Sequence, residues 1–85
     1  MVKERTLEEI HDKHIGHSKF ARFCDYAIAN GYEITQIKEY QGKFKFRMNG
    51  YLVEFDKSPD LNFMAQFRMC EKVIMYHKEL EELKL

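Results

Sequence analysis

Tryptophan is missing from this chain, proline occurs once, at Pro59, and the only cysteines, Cys24 and Cys70, stand far apart. Without a Cys-x-x-Cys unit or a third and fourth cysteine, a disulfide framework is not expected, and both thiols should be buried and free. No apolar run approaches the roughly 18 residues of a membrane span. The start, Met1-Val2-Lys3-Glu4-Arg5, leads into a charged helix rather than a secretory signal core, so a cytoplasmic location is expected. Net charge is lacking too. Fourteen Lys and Arg balance fourteen Asp and Glu, leaving no overall excess to grip phosphates. Gly-rich phosphate loops, Gly-x-Ser-x-Gly and His-Glu-x-x-His are all absent. No catalytic residue is assigned, no cofactor is expected, and the chain reads as a non-enzyme.

What is present is enough for one folded domain over residues 1–85, with 45% hydrophobic and 33% charged residues and no repeat or low-complexity tract. Its clearest feature is the run Lys43 to Asp56, which alternates apolar and polar residues on both sides of Asn49-Gly50, the signature of a type I′ β-hairpin. The implied register sets Met48 against Tyr51, Phe46 against Val53 and Phe44 against Phe55 on one face. The other face then sets Lys45 against Glu54 and Lys43 against Asp56 as opposite charges.

Thr6-Leu7-Glu8-Glu9 matches a capping box, predicting a first helix from Thr6 to about His14 or Ile15, ended or bent by Gly16. A second helix from His17 or Ser18 puts Phe20, Phe23, Cys24 and Ala27 on one arc and closes at Asn30-Gly31; alternatively the two form one rod kinked at Gly16. Tyr32 to Tyr40 reads as a strand, with Ile37 turned to the core. Ile34 and Ile37, three apart, share that face only with a bulge or twist. A long last helix, about Leu61 to Lys84, begins with Pro59 near its first turn. One of its stripes, Phe63, Phe67, Cys70 and Ile74, suits the sheet. A second, Met69, Val73, Tyr76, Leu80 and Leu83, follows the 4-3-4-3 spacing of a helix-to-helix seam. Its cover is either Leu7, Ile10 and Ile15 of the first helix or a second copy of the chain.

The fold expected is therefore α+β: one or two N-terminal helices, with residues 1–16 as a helical extension, then a core over 17–85 made of a helix, a three-stranded antiparallel meander and the long C-terminal helix on one sheet face. The third strand is an edge, where Tyr51 and Leu52 offer pairing groups to another chain. Lys38, Lys43, Lys45 and Arg47 with Tyr40, and with Tyr32 on the same side, make a basic stripe on the outer face suited to single-stranded bases, although Glu54 and Asp56 stand opposite. His11 and His14 share a helix face and are the candidate metal ligands, with His17 and Asp12 near. Zinc normally takes four ligands, so packing near a helix C-terminus is the preferred reading.

The helix, three strands and helix from about Ser18 to Tyr76 resemble, in topology, double-stranded RNA-binding domains and HicA-type toxin ribonucleases. The functional residues of neither carry over. Lys57 is followed by Ser58-Pro59-Asp60-Leu61-Asn62 rather than a lysine cluster, and Gly42 by Lys43 rather than histidine, with no histidine between His17 and His77. The expected function is a small non-enzymatic protein-interaction module, self-associating through the 69-to-83 seam or the strand edge, of the kind a viral or mobile-element adaptor or inhibitor would use. RNA or DNA binding by the outer sheet face is the alternative.

Overall fold

The computed structural model describes residues 2–12, 17–58 and 60–84. In chain order these form β1 (Lys3–Arg5), α1 (Leu7–Ile10), α2 (Ser18–Ala29), β2 (Ile34–Glu39), β3 (Lys43–Met48), β4 (Tyr51–Asp56) and α3 (Phe63–Leu83). The four strands make one antiparallel sheet in the order β1-β2-β3-β4. An α+β fold with the long last helix against the sheet is thus present, with one strand more than the meander expected. The extra strand is the N-terminus. Lys3 pairs with Glu39, Glu4 with Lys38 and Arg5 with Ile37, so this segment covers the β2 edge instead of entering a helix. Charged residues on a short strand also blunt the new edge.

The β3–β4 hairpin has the predicted register throughout, from Met48 against Tyr51 to Lys43 against Asp56. Asn49 and Gly50 take φ values of 54° and 83°, the paired left-handed conformation that a type I′ turn demands and that Asn-Gly tolerates. Asn49 also exchanges hydrogen bonds with Glu33: its N–H donates to the Glu33 carbonyl at 2.9 Å, and its Oδ1 accepts from the Glu33 N–H at 2.8 Å.

β2 contains the bulge that Ile34 and Ile37 require. Thr35 pairs with Arg47 but Lys38 with Lys45, so Gln36 and Ile37 together oppose Phe46. Gln36 absorbs the irregularity at φ 51°, and both isoleucines are buried rather than Ile37 alone. Beyond the bulge the alternation has slipped by one, which turns Glu39 toward the helix side.

Thr6 caps α1 by accepting from the Glu9 N–H at 3.2 Å, but the helix stops at Ile10, short of the expected His14. The Leu7 carbonyl accepts from the His11 N–H and the Glu9 carbonyl from the Asp12 N–H, each at 3.1 Å, and α1 and α2 are separate elements rather than one bent rod. Lys13, His14, Ile15 and Gly16, and the expectations resting on them, lie outside the described residues. α1 packs against α2, and Ile10 enters the core, so the segment expected as an extension contributes to both sheet and core.

α2 lies over the sheet and delivers Phe20 and Phe23 into a cluster of aromatic rings. Phe20 stacks on Phe44 with centroids 4.2 Å apart, and Phe23 meets Phe46 edge-on at 5.5 Å. Gly31, at φ 88°, ends α2 as predicted. α3 runs along β4 and α2. Its N-cap is Asn62, whose Oδ1 accepts from the Ala65 N–H at 2.8 Å, so the helix begins at Phe63, two residues beyond the expected Leu61; Pro59 is not among the described residues. Phe67, Cys70 and Ile74 are buried as the first stripe predicts, and Phe63 partly so. Past Ile74 no residue of α3 is buried.

Candidate functional site

Among the described residues, the second stripe of α3 holds five of the nine exposed large apolar side chains. Met69, Val73, Tyr76, Leu80 and Leu83 are all exposed, Val73 by 40%, Leu80 by 38% and Leu83 by 82%. The first helix does not cover them: Ile10 is spent in the core and α1 rests on α2. Beside the N-terminal half of the stripe, Leu52, Val53, Glu54, Met69, Cys70 and Val73 line a groove of about 330 Å³ between β4 and α3. Leu52, on the outer sheet face, is itself 53% exposed. Stripe and groove form one surface, since Met69 and Val73 belong to both.

The β4 edge is less open than its position suggests. In this register Leu52, Glu54 and Asp56 turn their backbone groups away from β3. Gln66 of α3 closes one end, accepting from the Asp56 N–H at 2.6 Å and donating to the Asp56 carbonyl at 2.8 Å. The Cys70 thiol donates to the Glu54 carbonyl at 3.5 Å. Pairing groups for another strand are therefore concentrated at Leu52. Tyr51 is engaged within the chain: its hydroxyl donates to Glu81 at 3.0 Å and its ring stacks on His77 at 6.1 Å. It braces the far half of α3 against the hairpin rather than standing free for a partner.

The outer face carries the expected cations in a neutralised setting. Lys43 donates to Glu54 at 3.2 Å, and Lys45 lies 3.7 Å from the same carboxylate and 5.4 Å over the Tyr40 ring. Arg47 donates to the Gly50 carbonyl at 2.8 Å. Lys38 faces Lys45 on one side and Glu4 on the other. Tyr32 is not on this face. Its ring meets Phe67 at 5.6 Å and its hydroxyl donates to Glu71 at 2.9 Å, on the helix side.

His11 is a helix-end bridge. Nδ1 lies 2.7 Å from the Leu7 carbonyl and Nε2 2.7 Å from Asp25. Both partners are acceptors, which calls for an N–H on each nitrogen, and the Leu7 carbonyl and then Asp25 raise its pKa. A doubly donating imidazolium has no lone pair for a metal. Among the described residues no group of three or more His, Cys, Asp or Glu is placed to hold one.

One cluster has no counterpart in the sequence reading. Glu39 accepts from Arg5 Nε and from Lys57 Nζ, each at 2.8 Å, so one carboxylate joins β1, β2 and the segment after β4. Burial alone would raise its pKa, but Lys57 and Arg5, with His17 close by, hold it down at about 2. His17 Nε2 lies 3.3 Å from Glu39 yet lacks hydrogen-bond geometry and has no other partner. That approach is proximity, and desolvation dominates, lowering the His17 pKa against the pull of Glu39. The cluster was legible in one respect: carrying the alternation through the bulge at Gln36 turns Glu39 inward. Cys24 and Cys70 are free and buried. Burial pushes both thiols up to about 12, so neither is a poised nucleophile.

No protein-family model matches the chain, and no curated protein or solved structure matches it. Among the described residues no helix is long and apolar enough to cross a membrane.

Proposed function

We propose that this protein is a small non-enzymatic interaction module that works by self-association, docking through the exposed stripe of α3 and the adjoining Leu52 groove. The observation that carries the reading is Met69, Val73, Tyr76, Leu80 and Leu83 standing in water at seam spacing, while among the described residues the other exposed large apolar side chains are Val2, Ile28, Leu52 and Met75. A contiguous apolar strip of this kind is how a surface committed to a protein partner presents itself. Full burial of such a side chain is worth about 1.5–3 kcal/mol in transfer terms, and the part that each of the five still exposes is the share a partner would cover. A cytoplasmic adaptor or inhibitor of viral or mobile-element origin is the kind of protein this describes.

Light scattering on the purified protein should return a dimer or larger species. Val73→Glu combined with Leu80→Glu should return a folded monomer, its circular dichroism unchanged because both positions are solvent-facing. A concentration-independent monomer for the unsubstituted chain removes the reading.

Nucleic-acid binding by the outer face is the second reading, and the observation in its favour is the like-charge pair Lys38–Lys45, which an anion between the two would relieve. Affinity for a short single strand should then fall steeply with salt, and Lys45→Glu with Arg47→Glu should abolish it. Absence of binding at low salt to single- and double-stranded probes ends this reading.

A further inference from the structure

We infer that the occupant of the α3 stripe is a second copy of this chain lying antiparallel, about a two-fold axis that passes near Tyr76. The inference rests on the self-association reading above and adds the geometry of the pair. A two-fold near Tyr76 sets Met69 against Leu83 of the second copy, each seven residues away, and brings Val73, three residues away, to within one residue, about 1.5 Å of rise, of Leu80, four residues away. The residue just before Val73 is Lys72 and the residue just before Leu80 is Glu79. These are equivalent flanking positions, and antiparallel pairing brings equivalent flanks together. Lys72 then meets Glu79 of the second copy, and symmetry repeats the pair. Both side chains are exposed, and neither has an ion pair within the described residues.

Shape selects the same arrangement. The fully buried residues of α3 are Gln66, Phe67, Cys70 and Ile74, and past Ile74 the helix continues to Leu83 with Tyr51 reaching it at His77 and Glu81 but no residue buried. Antiparallel pairing places the uncovered half of each α3, with Leu80 and Leu83, beside the other copy's groove at Leu52, Met69 and Val73. A parallel pair also finds one attractive contact, Glu79 with Lys84, but it leaves both uncovered halves with only each other and keeps them away from the grooves.

The test uses two single-cysteine additions to the otherwise complete protein, Met69→Cys and Leu83→Cys. Oxidised separately, neither variant should cross-link, because in an antiparallel pair the identical positions are roughly 21 Å apart, beyond disulfide reach. Oxidised as a mixture, they should yield the disulfide-linked heterodimer. Self-cross-linking of Met69→Cys would show a parallel pair and overturn the geometry while leaving self-association in place, whereas a monomer under all conditions overturns both. Charge reversal reads the same geometry without cysteine. Lys72→Glu and Glu79→Lys should each weaken the dimer by roughly tenfold, and the double reversal should restore it. An unchanged dissociation constant for Lys72→Glu overturns the inference.

Discussion

Gln66 holds the backbone of Asp56 at both ends, accepting from its N–H at 2.6 Å and donating to its carbonyl at 2.8 Å. A side-chain amide on a helix thereby takes the two hydrogen-bonding positions that a fifth strand would use. Among the described residues Gln66, 4% exposed, is the one buried polar side chain. An unpaired buried amide costs more than a made one contributes, so this contact both docks α3 on β4 and closes that end of the sheet to other strands.

Replacing Gln66 by leucine keeps the volume and the helix but leaves the Asp56 groups without partners. Urea denaturation should show a loss of about 1–3 kcal/mol. A midpoint and slope identical to those of the unsubstituted protein would mean that water replaces the amide at no cost.

Gln36 sits in the left-handed region at φ 51° inside a strand, a conformation that disfavours side chains and suits glycine. Glycine ordinarily weakens a strand. Here Gln36→Gly should leave stability unchanged or raise it by up to about 1 kcal/mol, and Gln36→Val should lower it. Thermal melts of the two variants decide the matter, and equal destabilisation by both would show that the bulge moves elsewhere.

Glu39 ionises at about 2 in the folded chain against an ordinary value near 4.5. A depressed carboxylate adds stability that is complete above the ordinary value and is lost as pH falls through the folded one. Glu39→Gln should therefore destabilise the protein by about 1–3 kcal/mol at neutral pH. The gap between variant and parent should narrow between pH 4.5 and 2. A gap that is constant across that window would assign the loss to packing rather than charge.

The two described N-terminal histidines respond to pH in opposite senses. His11 has a raised pKa, so its contribution is complete below the ordinary value of 6.5 and fades as pH rises through the folded one. His17 has a lowered pKa, so its contribution is complete above 6.5 and fades on acidification. Asp25→Asn should bring the His11 titration, followed by NMR, to lower pH and leave His17 where it was. Movement of both would mean that the two sites are coupled.

Much of this molecule was legible before any coordinates. Asn49-Gly50 with flanking alternation specified the hairpin residue by residue, and Thr6, Gly31 and the arc Phe20, Phe23, Cys24, Ala27 specified helix ends and a buried face. Gln66 was also within reach, for it lies in the same arc as Phe63, Phe67, Cys70 and Ile74 and is a polar residue in a buried row. The exposed stripe was recognisable as a seam from its spacing, though not its lack of cover within the chain.

Local chemistry along a dozen residues is sufficient to determine turns, caps and the inward face of an element, because those depend on backbone conformation and on neighbours one turn or one strand away. The tertiary structure alone decided that Lys3–Arg5 is a strand, that Glu39 gathers Arg5 and Lys57, and that Gln66 closes the edge at Asp56. Each of these joins residues brought near only by the closed sheet and the docked helix. Their free energy comes from burying polar groups with partners supplied from distant parts of the chain, and no local pattern records which partner arrives.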